Sequence, residues 1–135
     1  SMNPRYSLVA ARAGACCEYC RAPQTGANLP LEVEHVYPRA LGGKTEYHNL
    51  ALSCRACNMF KGAEIEADDP KTGERTLLFN PRRHAWHEHF AYDPESGLLR
   101  SETPIGRATI DRLKMNTDWQ IAARKYWPRD GKFPG

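Results

Sequence analysis

Two Cys-x-x-Cys pairs, Cys17/Cys20 and Cys54/Cys57, constrain this chain more than any other feature of its sequence. Five cysteines occur, at positions 16, 17, 20, 54 and 57. A secreted disulfide framework favours an even number scattered along the chain, whereas two knuckles of identical spacing fit four thiolates around one tetrahedral zinc. A redox Cys-x-x-Cys would come with a βαβ pattern, and none is present. For the knuckles to meet, the chain between them must fold back on itself. Such a centre adds folding free energy on the order of 10 kcal/mol in small zinc modules, which matters for a chain of 135 residues with only a modest core. Four thiolates leave no open coordination position, so the expected zinc is structural. Cys16 is the cysteine left over, because Cys17 reproduces the spacing of the second knuckle; it is expected to pack as a small apolar residue.

Bulk properties exclude some classes and leave others open. No apolar run approaches the roughly 20 residues that span a bilayer, and no charged-then-apolar segment opens the chain. The expectation is a soluble, cytoplasmic protein with no membrane partner. A net charge of +3 favours a polyanionic partner only weakly. Lys and Arg crowd the last third (Arg100, Arg107, Arg112, Lys114, Arg124, Lys125, Arg129, Lys132). That run reads equally as a solvated helical face or as a phosphate-contacting surface. Residues 2–135 are expected to form one domain, with a core over 15–65 and an extension over 66–135.

Local patterning outlines the elements. Residues 5–13 read as a helix ended by Gly14, and 21–30 as a loop broken by Pro23, Gly26, Asn28 and Pro30. Leu31 to Val36 alternates as a strand stopped by Pro38. Residues 39–47, with Gly42-Gly43, form a loop, and 49–52 a second strand pairing antiparallel with the first. Ser53 is placed to cap a helix over 54–64. Residues 68–73 read as a turn-rich linker, and 77–81 as an apolar segment entering a tight turn. Strands over 84–93 and 97–103 would form a hairpin around Pro94–Gly97. Pro104 opens a helix carrying Ile110 and Leu113 on one face. A last helix over 117–126 would expose Arg124 and Lys125 and bury Trp119 or Ile121. Trp86, Trp119 and Trp127 read as core anchors.

Between and after the knuckles lie the residues that carry chemistry. His35 ends the first strand, and its ordinary pKa near 6.5 suits it to taking a proton from water. Glu34 is a hard oxygen ligand of the kind Mg²⁺ or Mn²⁺ prefers, with the Asn58 carbonyl as a second. Alone, a Glu-His dipeptide is more often an exposed Glu beside a strand-end His. Neighbouring strand residues also point to opposite faces, so the two share a site only where the strand twists or ends. Cys57 precedes Asn58 directly, and Lys61 lies on the same helical face as Asn58.

Taken in order, Glu34-His35, Gly42-Gly43, Asn49-Leu50 and Cys54-x-x-Cys57-Asn58-x-x-Lys61 resemble the HNH endonuclease family, over residues 17–61. The resemblance implies an α+β fold: a ββα-metal core stapled by the four-cysteine zinc site, followed by a C-terminal β-hairpin and helices. It implies His35 as general base, Glu34 and Asn58 as ligands of a catalytic Mg²⁺ or Mn²⁺, Asn49 holding the loop and orienting the base, and Lys61 near phosphate. It also implies a DNA substrate cut to 5′-phosphate and 3′-hydroxyl ends. Two positions depart from the usual pattern: Glu34 stands where Asp is commoner, and Asn58 where His is. The alternative is a zinc-stabilised nucleic-acid-binding module without cleavage; a zinc-ribbon protein-interaction domain is a weaker one. His84, His87 and His89 suggest a metal cluster less readily than a half-buried hairpin, and Arg82-Arg83 read as turn charges or DNA-backbone contacts. Target specificity and oligomeric state, monomer or dimer, leave no signature.

Overall fold

The structure, a computed structural model, describes residues 4–127. Arg129 and Lys132 of the basic run therefore lie outside the described residues. Helix α1 (Pro4–Arg12) places Tyr6, Val9, Ala10 and Ala13 at helical spacing along one stripe. That stripe packs on Leu31, Leu50 and Leu52 and forms a small apolar cluster. The chain then turns through Gly14 and Ala15, both with positive φ.

Strands β1 (Glu32–His35) and β2 (Leu50–Ser53) pair antiparallel, with Glu32 opposite Ser53 and His35 opposite Leu50. Helix α2 (Arg55–Lys61) follows directly. This is the expected strand–strand–helix unit, with two corrections at the helix ends. Cys54, not Ser53, is the N-cap: its sulfur accepts from the Cys57 amide at 3.4 Å, while the buried Ser53 hydroxyl donates to the Cys54 carbonyl. The helix also stops at Lys61 rather than 64, because Gly62 takes φ +56° and its N–H closes on the Asn58 carbonyl.

Beyond α2 the sequence reading missed one hairpin and misread another element. Strands β3 (Glu66–Asp68) and β4 (Arg75–Leu77) pair antiparallel, so the expected linker at 68–73 is their turn. Residues 84–93 do not form one strand. They hold the short helix α3 (Trp86–His89) before β5 (Ala91–Tyr92) pairs with β6 (Leu99–Arg100) around the expected turn. The reason is spacing: Trp86 and Phe90 are the buried positions and stand four apart, a helical interval, with their rings 5.1 Å apart. Trp86 Nε1 also donates to the Tyr19 carbonyl at 2.7 Å, tying α3 to the first knuckle.

Helices α4 (Pro104–Arg112) and α5 (Asp118–Tyr126) begin at Thr103 and Thr117, whose side chains cap the amides of Gly106 and Gln120. On α5 Lys125 is exposed as expected and Ile121 is half-buried, but two positions depart from the expectation. Trp119 is 87% exposed, and Arg124 is fully buried. The guanidinium of Arg124 is captured by three acceptors, the Gly97 and Met115 carbonyls and Asn116 Oδ1, and Trp127 takes the core position instead. The larger core runs from the first knuckle through Phe79, Trp86 and Phe90 to Leu113, Met115 and Trp127.

Asp69 anchors the β3–β4 turn to α4. Its carboxylate takes a two-bond contact from Arg107, at 3.0 and 2.7 Å, with further bonds from the Lys71 amide and Thr72 hydroxyl. These bonds, Arg107's first, hold its carboxyl well below the usual range. A depressed carboxyl pKa contributes stability above the unfolded value near 3.9, and loses it as pH falls through the folded value. Asp69→Asn should therefore lower the urea midpoint at pH 7, and its stability should fall less than the wild type's between pH 4 and pH 2.

Candidate active site and metal centre

The four knuckle sulfurs, of Cys17, Cys20, Cys54 and Cys57, all lie within 4.8 Å of one another, with Cys20 and Cys54 at 3.7 Å. A tetrahedral zinc with Zn–S bonds near 2.3 Å requires S···S separations of about 3.8 Å. The donor set fits zinc. Within each knuckle the second cysteine's amide donates to the first sulfur at 3.4 Å. Burial disfavours the Cys17 thiolate, yet hydrogen bonds from Cys20, Cys54 and Cys57 carry its pKa well below that of a free thiol. Among the described residues these four form the one group of three or more metal-ligating side chains. Cys16 stands apart and only half-buried, in an isolated bridge with Pro23.

The knuckles are also tied to the hairpin. Glu18 and Leu52 exchange two bonds at 2.8 Å, from the Glu18 amide to the Leu52 carbonyl and from the Leu52 amide to Glu18 Oε2. The other oxygen of Glu18 pairs with Arg82, so one buried carboxylate joins the first knuckle, β2 and the extension.

His35 ends β1 half-buried, and its Nε2 lies 2.8 Å from the Thr45 hydroxyl. Burial, then the Arg39 charge, lowers its pKa below the ordinary 6.5, which favours the neutral ring. The loop carrying Thr45 is held by Asn49. Its Oδ1 accepts from the Tyr37 amide at 2.9 Å, and its Nδ2 donates to the Tyr37 and Lys44 carbonyls at 3.1 and 2.9 Å. Gly43 serves the same loop: a Cβ there would lie 1.8 Å from the Tyr37 carbonyl oxygen, so only glycine permits this approach.

Glu34 faces the other way. It is 5% exposed, with Oε1 accepting from the Tyr19 hydroxyl and Oε2 lying 3.3 Å from Lys61 Nζ. Lys61 is itself 2% exposed and donates to the Val36 carbonyl at 3.1 Å. Burial raises the Glu34 pKa, against the opposing charge of Lys61 and the bond from Tyr19. Asn58 bonds elsewhere, its Nδ2 donating to Glu32 Oε1 at 2.8 Å. The structure thus brings Lys61 to Glu34 and Asn58 to Glu32. It does not bring Glu34, His35 and Asn58 to one open point, and with both Glu34 oxygens engaged this arrangement does not fit a divalent ion there.

The remaining histidines have other occupations. His84 Nδ1 accepts from the Asn80 amide at 2.9 Å, His89 Nδ1 meets the Thr103 hydroxyl at 2.8 Å, and the His87 ring packs on Trp86. His48 sits on the surface beside Glu46 at 3.0 Å. Sequence reasoning missed Thr45, Tyr19 and Glu18. A single Thr in a loop carries no spacing signal. Glu18 and Tyr19 lie inside the first Cys-x-x-Cys, where the cysteines alone drew attention.

Residues 17–71 match the family model described as HNH endonuclease, the family that the motifs resemble. The matched segment holds both knuckles, β1, β2 and α2, and the match ends before β4 and everything that follows. No curated protein and no solved structure matches the chain.

Metal analysis of protein prepared without chelators should find one zinc per chain, and Cys57→Ser should lose it together with the cooperative unfolding transition. Lys61→Met leaves the Glu34 carboxylate buried without its cation, at a cost of about 3–5 kcal/mol, measurable by urea denaturation at pH 7.

Proposed function

We propose that this chain is an endonuclease that hydrolyses DNA phosphodiester bonds, with His35 as general base. The observation that carries the reading is the His35 ring: at a strand end, and held by Thr45 on a loop that Asn49 ties down. The family match over 17–71 supports it. The four sulfurs are the structural zinc site of this reading.

The chemistry follows from the tautomer. His35 Nε2 and the Thr45 hydroxyl can bond in either sense; in the tautomer that serves a base, Nε2–H donates to the Thr45 oxygen and the lone pair is on Nδ1. Nδ1 takes a proton from water as the water oxygen bonds to phosphorus. The bond from phosphorus to the 3′ oxygen breaks in line, and that oxygen takes a proton from solvent. The products are a 5′-phosphate and a 3′-hydroxyl. Asn49 keeps the loop, and hence Thr45, in register with β1.

Dependence on Mg²⁺ or Mn²⁺ rests on the family resemblance alone, because Glu34 and Asn58, the expected ligands, are held by Lys61 and Glu32 instead. A divalent ion, when bound, supplies charge stabilisation at the phosphate. In the present arrangement Lys61 is the cation beside Glu34. That observation favours the second reading, a zinc-stabilised nucleic-acid-binding module without cleavage. Binding of DNA with no cleavage under Mg²⁺ or Mn²⁺ would select it.

His35→Ala should lower plasmid nicking by at least about 100-fold while leaving zinc content and melting temperature unchanged. Unaltered nicking by this variant would remove His35 from the mechanism. The wild-type rate should rise with pH through a midpoint below 6.5, because the base works only when unprotonated and its pKa is lowered. Thr45→Val should cut the rate at saturating DNA and leave DNA affinity in place.

A further inference from the structure

Beside the His35 loop opens a groove of about 1010 Å³ whose far wall the catalytic reading leaves unused. Two segments far apart in sequence line it: the loop 42–49, within the family match, and the stretch 77–84, beyond it. We propose that this groove takes the sugar–phosphate backbone of a nucleic-acid strand, so that the extension supplies half of the nucleic-acid interface. The proposal rests on the nuclease reading for its choice of DNA as substrate.

Charge and shape both point to this occupant. Five Lys or Arg residues line the groove against one carboxylate, Glu46. Lys61 and Arg82 are neutralised by Glu34 and Glu18, and His48 lies against Glu46. Among the described residues Arg12, Lys44 and Arg83 have no carboxylate in an ion pair, and Lys44 and Arg83 are exposed. Tyr37 and Tyr47, 45% and 47% exposed, lie in the same groove, and the Arg12 guanidinium stacks 3.8 Å over the Tyr47 ring. Positive charge along a groove with exposed aromatic rings is the combination that holds a strand by its phosphates and by stacking.

The stretch from the extension is built to present fixed donors. Asn80 organises the turn: its carbonyl accepts from the Arg83 and His84 amides, and its Oδ1 accepts from the Arg82 amide. Its own amide donates to His84 Nδ1. A backbone amide can only donate, so in the neutral ring the proton is on Nε2. His84, which lines the groove, is therefore a neutral imidazole with its one N–H on Nε2, a group suited to a phosphate oxygen. Glu18 pins Arg82, so the turn sits in a set relation to the first knuckle. This gives His84 a task distinct from metal binding.

Binding of a labelled single-stranded DNA, with zinc-loaded protein and no divalent ion that permits cleavage, tests the proposal. Arg83→Glu and Lys44→Glu should each weaken binding about tenfold at low salt and reduce the slope of log K against log salt by about 1. His84→Phe should weaken binding without changing that slope. Arg112→Glu, an exposed cation outside the groove, should change neither. If the groove variants bind as tightly and with the same salt slope as the wild type, the groove is not the interface, even when the wild type cuts DNA. If the wild type binds through the groove and never cuts, the nuclease reading fails and the groove assignment stands.

Discussion

Four sulfur atoms drawn from two distant segments into one cluster are the constraint on which the other features depend. The cluster fixes where the first knuckle meets the hairpin, and the Glu18–Leu52 exchange of bonds carries that position into β2. Cys54 is at once a member of the cluster and the N-cap of α2, so the start of that helix is set by the same atoms. Each further contact is built outward from there: Glu18 reaches Arg82, and the Tyr19 carbonyl receives the Trp86 indole. The extension is thus docked through side chains inside the first Cys-x-x-Cys. A metal at the sulfurs would stabilise both halves of the chain.

Opposite faces of one short strand do different work. His35 turns toward a polar loop and stays accessible; Glu34 turns inward and is held by Tyr19 and Lys61. Strand alternation accounts for the division. A buried carboxylate beside a buried ammonium is weak evidence for stability, since desolvation of both charges offsets their attraction. Its consequence here is positional: it ties the last turn of α2 to the middle of β1 and keeps the hairpin and helix in one unit.

How much was legible in the sequence follows from how local each feature is. The zinc knuckles, the β1–β2 hairpin, α2 and the Asn49-braced loop rest on spacing, on β-branched and apolar alternation, and on Gly42-Gly43, and all can be read along the chain. The β3–β4 hairpin was hidden because its strands are three residues long and its turn looks like a linker. Helix α3 was hidden because Trp86 and Phe90 lie among histidines that also fit alternation. Arg124 is buried against expectation because three polar acceptors, supplied by residues 97, 115 and 116, satisfy its guanidinium, while Trp119 lies exposed. The partners of Glu34 and Asn58 depend on which side chains the helix brings across the strand, and no spacing encodes that choice.

The central claim is hydrolysis of a phosphodiester by water activated at His35. The most direct measurement is cleavage of DNA by the zinc-loaded protein in ¹⁸O-labelled water, with Mg²⁺ or Mn²⁺ present, followed by mass analysis of the new ends. The account predicts fragments with a 3′-hydroxyl and a 5′-phosphate carrying one ¹⁸O. Intact DNA under both ions, or cleaved ends without the label, would contradict it.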